Sequence, residues 1–194
     1  MRNNKNLVVA SMAVAFLAVG TQALAATCPS AHGAGSPMTC ELPLINGSFD
    51  THDGKDYIAP WVVETGRAKG HGYGDDLHLF AGARIRQDVP LPLNTTLGGG
   101  RFPSYTLTFT TDGEGAMDVS GSLMARLTLV DDAGGNPLEL GSTRVAVTGN
   151  PNTARLEVAG REYPQPAYLR VQIQREDGSD TEVAIDDVVI VQSF

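Results

Sequence analysis

The side chains best suited to recognising a ligand in this sequence are planar donors placed at alternate positions. Arg84 and Arg86, Arg126, and Arg170, Gln172 and Gln174 fall on the polar phase of alternating segments, as do Thr106 and Thr108. Guanidinium and carboxamide groups hold several N–H donors in one plane, which suits hydroxyl-rich ligands such as sugars. Gathered on one sheet face they would form a hydrogen-bonding platform; spread over several faces they are an ordinary solvated arginine surface on an acidic protein. Tyr57 and Tyr73, in glycine-rich stretches, are further candidates for contact with a sugar ring.

Catalytic patterns are sparse. The sequence contains no G-x-S-x-G nucleophile elbow and no H-E-x-x-H metal motif. Carboxylates adjoin at Asp75/Asp76, Asp131/Asp132 and Asp186/Asp187. Sequence neighbours on a strand point to opposite faces, so none of these pairs is by itself an acid/base dyad. Asp76 and His78 would share a side of a strand, but they make half a metal site at most. The expectation is a protein without catalysis.

These groups need strands to position them. Ser104 to Thr111 alternates strictly, with Tyr105, Leu107 and Phe109 opposed to Thr106, Thr108 and Thr110. Tyr168 to Gln174 sets Leu169, Val171 and Ile173 against Arg170, Gln172 and Gln174; Ser122 to Val130 places Leu123, Ala125, Leu127 and Leu129 inward. Ile85 and Val89 do the same around Arg84 and Arg86. Period two over this many segments means half-buried antiparallel strands. Turn chemistry interrupts them at Asp112-Gly113, 131–136, 149–152 and Asp177-Gly178. No window has helical period, so the fold class is all-β, a two-sheet antiparallel sandwich.

The 194 residues fall into three parts. Residues 1–25 read as a signal peptide: Arg2 and Lys5 precede an apolar run from Leu7 to Val19 that is short of the ~20 residues a spanning helix requires, and Ala23-Leu24-Ala25 is a small-x-small cleavage pattern. Residues 26–41 form an N-terminal arm, and 42–194 the β-sandwich. Export to an oxidising compartment favours a Cys28–Cys40 disulfide that ties down the arm, worth ~3 kcal/mol on a chain-entropy account. The chain carries a net charge of −8, and cleavage removes two cations from it. That charge disfavours nucleic acid and anionic lipid surfaces, and no membrane insertion is expected. Aromatics amount to only 6%, too few for a groove paved with rings.

Five segments carry a resemblance. Leu44-Ile-Asn-Gly-Ser-Phe-Asp50, Pro60-Trp61-Val62, Ile85-Arg-Gln-Asp-Val89, Tyr105-Thr-Leu-Thr-Phe109 and Val183-Ala-Ile-Asp-Asp-Val-Val-Ile190 resemble, in order and spacing, the galactose-binding-like jelly rolls. More narrowly they resemble the carbohydrate-binding modules attached to bacterial xylanases and glucanases. The resemblance implies a jelly roll in which the opening Asn-Gly-x-Phe turn lies beside the closing Ile-Asp-Asp-Val strand. It also implies a structural calcium between them, held by Asp50 and Asp186 with Asp187 adjacent, although the family more often carries Glu at the first position. The alternative is that these aspartates cap turns by accepting backbone N–H bonds. Trp61 is expected in the core rather than against a ligand.

The function expected is a secreted or periplasmic, non-catalytic carbohydrate-binding protein whose partner is a polysaccharide or cell-surface glycan. The competing expectation is a structural or protein-interaction domain of the envelope or extracellular matrix, built on the same scaffold and binding a protein partner.

Overall fold

The computed structural model describes residues 39–50, 58–70, 76–91, 102–112, 121–132, 135–163, 168–176, 178 and 181–194. The alternating segments form strands, and shorter strands without alternation join them. These are β1 (Thr39–Glu41), β2 (Val62–Thr65), β3 (Ala68–Gly70), β4 (Leu77–Leu79), β5 (Arg84–Pro90), β6 (Ser104–Asp112), β7 (Gly121–Val130), β8 (Leu138–Val147), β9 (Asn152–Ala159), β10 (Tyr168–Arg175) and β11 (Val183–Ser193). No helix occurs among the described residues, so none there is long and apolar enough to cross a membrane.

One sheet has the order β3-β4-β11-β6-β9, with β1 also paired to β11; the other has the order β2-β5-β10-β7-β8. All pairings are antiparallel. From β5 to β11 the chain changes sheet at every connection except β7 to β8. This two-sheet crossing pattern is a jelly-roll β-sandwich, as expected. Strands distant in sequence therefore become neighbours, and β10 lies between β5 and β7.

The apolar phases meet between the sheets. Leu107 and Phe109 of β6 and Ile185 and Ile190 of β11 share one core with Ile85 of β5, Leu123, Ala125 and Leu127 of β7, and Leu169, Val171 and Ile173 of β10. Polar side chains also turn inward, Gln87 and Arg175 among them. Gln87 donates from Nε2 to the Ile45 carbonyl and accepts from the Ile45 N–H, both at 2.8 Å, so one amide copies a strand partner for the opening segment. Arg175, 0% exposed, continues the apolar phase of β10 and donates from Nη1 to the carbonyls of Leu79, at 2.9 Å, and Thr181.

The opening turn lies against β11, as the resemblance implies. Val188 N–H donates to the Gly47 carbonyl at 3.0 Å, beside a register shift between Asp186 and Val189. A Cβ on Gly47 would stand 2.2 Å from the Val188 carbonyl oxygen, so only glycine permits this approach. Trp61 is 4% exposed, packs on Phe49 with ring centroids 5.6 Å apart, and donates its indole N–H to the Asn46 carbonyl. It is a core residue.

Candidate functional site

The five-stranded sheet brings the candidate arginines together. Its register sets Val62, Arg86, Gln172, Arg126 and Ser142 opposite one another in successive strands. Asp88, Arg170, Thr128 and Glu139 form the next row, and Arg84, Gln174 and Met124 begin the row on the other side. Since side chains two apart share a face, Arg84, Arg86, Arg126, Arg170 and Gln172 all project from the outward face of one sheet.

Carboxylates hold them there. Glu64 lies with Oε2 at 2.9 Å from Arg84 Nε and Oε1 at 3.0 Å from Arg86 Nε, and it accepts a 2.6 Å bond from Gln172 Nε2. Asp88 accepts from Arg170 Nε and Nη2 at 2.7 and 2.9 Å, and from Arg86 Nη1 at 3.2 Å. Arg126 places Nε 3.1 Å from Glu139 Oε2 and donates from Nη1 to Gln172 Oε1 at 3.4 Å. The paired hydrogen bond from Arg170 holds the Asp88 carboxyl below the usual carboxylate range against the opposing effect of burial, and raises Arg170 in return.

Two depressions open on this face. A polar trough of about 220 Å³ is lined by Arg126, Thr128, Pro137, Glu139, Arg170 and Gln172. A second, of about 280 Å³, is lined by Pro43, Ile45, Pro60, Val62, Arg86, Gln87, Asp88 and Pro90. Sequence reasoning found the cations of this network and passed over Glu64, Asp88 and Glu139. Their signal was positional: Asp88 stands two residues after Arg86, on the same phase.

Other candidates lie elsewhere. Thr106 and Thr108 belong to β6 in the opposite sheet and do not join the arginine face, because strand order rather than alternation decides which sheet a polar phase enters. Tyr57, Tyr73 and Cys28 lie outside the described residues. Cys40 stands in β1 opposite Gln192 of β11, so the last residues of the N-terminal arm already belong to a sheet.

Acidic groups gather around the bulge of β11. Asp186 Oδ1 accepts from the Asp187 backbone N–H at 2.6 Å, whereas Asp50 Oδ2 accepts from the Ser48 hydroxyl Oγ at 2.7 Å. Burial chiefly, and then the charges of Asp187, Asp76 and Asp50, push the Asp186 carboxyl up to about 6. Three carboxylates therefore bear on Asp186, among them both of its expected calcium partners. Among the described residues no three His, Cys, Asp or Glu groups form a ready-made metal cluster, so a cation here would draw further ligands from carbonyls or water. Asp76 and His78 do share a side: Asp76 Oδ1 is 3.5 Å from His78 Nε2, while Glu182 Oε2 lies 2.6 Å from Nδ1.

No protein-family model matches the chain, and no curated protein matches its sequence. Solved structures do match. A cyclase from Fischerella sp. TAU is 15% identical, with TM-score 0.59, over 79% of this chain and 97% of that one. An arabinose-bound α-L-arabinofuranosidase, MgGH51, is 14% identical, with TM-score 0.54, over 78% of this chain and 26% of that one. The carbohydrate-binding module TmCBM61, in complex with beta-1,4-galactotriose, is 19% identical, with TM-score 0.49, over 76% of this chain and 95% of that one. The likeness is one of fold.

Proposed function

We propose that this chain is an exported, non-catalytic glycan-binding protein whose contact surface is the outward face of the five-stranded sheet. The observation that carries the reading is the convergence of Arg84, Arg86, Arg126, Arg170 and Gln172 on that face, each held by a carboxylate or carboxamide partner. Guanidiniums fixed in this way have lost much of their rotamer freedom before a ligand arrives, which lowers the ordering cost of binding. Glu139 and Thr128 add acceptors to the donors of Arg126 and Arg170 in the polar trough. A sugar hydroxyl both donates and accepts, so a mixed lining of this kind suits it.

The structural calcium is proposed at Asp50, Asp186 and Asp187, where a divalent cation would offset the burial and the neighbouring carboxylate charges that raise Asp186. Residues 1–25 direct export to the periplasm or beyond, and the Cys28–Cys40 disulfide anchors the arm to β1.

A glycan array probed with calcium present tests the reading. Retention of polysaccharide or cell-surface glycan, with no hydrolysis products on prolonged incubation, is expected. No retention on any glycan would overturn it in favour of an envelope or matrix interaction domain.

A further inference from the structure

The second depression on the arginine face has a different chemistry from the polar trough. Its floor and sides are Pro43 and Ile45 of the opening segment, Pro60 and Val62 at the entry to β2, and Pro90 at the end of β5. Ile45 and Val62 are each 48% exposed, far more than isolated core residues would be. The pad is nevertheless rigid. Gln87 clamps both backbone groups of Ile45, and Val62 is paired with Arg86 in the sheet.

The pad and the trough share a wall. Arg86 and Asp88 line the pad, Gln172 and Arg170 line the trough, and the register sets Arg86 opposite Gln172 and Asp88 opposite Arg170. From β5 to β7 is two strand spacings, about 10 Å, so a ligand that reaches both depressions must lie across the strands. A pyranose ring is amphipathic: its hydroxyls radiate around the edge and its C–H groups face outward above and below. An apolar surface rimmed by paired polar groups fits such a ring face, and the rim also disfavours a purely hydrocarbon occupant.

Building on the glycan reading, we infer that the pad at Pro43, Ile45, Pro60, Val62 and Pro90 is a second subsite that takes the C–H face of one sugar ring, while the trough reads the hydroxyls of the next. Aliphatic and proline side chains here take the place usually given to aromatic rings. The ligand class is a neutral oligosaccharide of at least two units lying across the strands. The charges lining both depressions are already paired with one another, Asp88 with Arg170 and Arg86 and Glu139 with Arg126, so a uronic or sulfated unit would have to compete with these pairs.

The test uses the full mature protein, with methyl and side-chain amide NMR signals read during titration with cellotriose, xylotriose and β-1,4-galactotriose, and with their methyl monosaccharides. At least one trisaccharide is expected to shift the Ile45 and Val62 methyl signals together with the Gln172 amide, and the double substitution Ile45→Ser, Val62→Ser to weaken its binding at least tenfold. Binding that shifts Gln172 and leaves the methyls and the double variant unaffected overturns the pad and spares the glycan reading. No shift with any of these sugars, alongside an empty glycan array, overturns both. A protein ligand that perturbs the methyls in place of sugar likewise overturns the subsite. Since the wild-type titration reads the pad directly, the inference stays testable if the double variant fails to fold.

Discussion

Asp88 and Arg170 face each other across β5 and β10 and share two parallel hydrogen bonds, 2.7 Å from Nε to Oδ1 and 2.9 Å from Nη2 to Oδ2. The pair stands between the two depressions and fixes the outline of both. Paired geometry of this kind keeps both side chains planar and oriented, which a lysine in place of Arg170 could not do.

Replacing Asp88 with Asn should cost about 1 kcal/mol at pH 7, the upper range for a solvent-accessible pair. Because Asp88 titrates below its ordinary value in the fold, its contribution is present above the unfolded carboxylate pKa and disappears as pH falls through the folded value. Thermal melts of wild type and Asp88→Asn should therefore differ at pH 7, and the difference should begin to shrink as pH falls below about 4. A difference that stays constant from about pH 5 down to about pH 2 would mean that the pair is not its source.

Gln87→Ala should destabilise by about 1–2 kcal/mol, because it strips the half-buried N–H and carbonyl of Ile45 of this partner. Denaturant titration checks the loss. Hydrogen exchange at Ile45 should accelerate ahead of exchange in β6.

Arg175→Met keeps an unbranched stem, removes the guanidinium, and leaves the carbonyls of Leu79 and Thr181 without this donor, where β10 is tied to β4 and to the approach to β11. A cost of about 2–4 kcal/mol is expected from chemical denaturation. A neutral result would show that the buried guanidinium gives no more than its volume.

Asp186 carries the opposite pH sign to Asp88. In chelated protein its raised value, about 6, means that the stability it lends is present below the unfolded carboxylate pKa and lost as pH rises toward 6. Asp186→Asn should flatten that decline. Added calcium should raise the melting temperature of wild type at pH 7.5 and leave Asp186→Asn unmoved; equal behaviour of the two proteins would remove calcium from this corner.

The strands were legible because alternation writes burial directly into sequence: Leu169, Val171 and Ile173 could hardly face elsewhere. The same period gave the outward phase of Arg84, Arg86, Arg126, Arg170 and Gln172. That these residues share a sheet was not legible, since placing β10 between β5 and β7 depends on pairing between segments far apart in the chain. Thr106 and Thr108 show the limit, having the right phase in the other sheet. Glu64 was missed because β2 is four residues long and its register shifts before Thr65. Gln87 and Arg175 were hidden by their polarity, although their spacing from Ile85 and Ile173 places both inward. The turn beside β11 could be anticipated only from the family resemblance.

The most direct test of the glycan-contact face is affinity electrophoresis of the mature protein through gels containing galactan, xylan or glucan, with Gln172→Ala and Arg126→Ala run beside wild type. Gln172 and Arg126 join the salt-bridged network to the trough, and both are only half-buried, so the fold should survive their loss. Wild type should be retarded by at least one polysaccharide, and both variants should migrate as they do in an empty gel. Retardation equal in all three proteins would contradict the assignment of this face, and unretarded wild type in every gel would contradict glycan binding by these polymers.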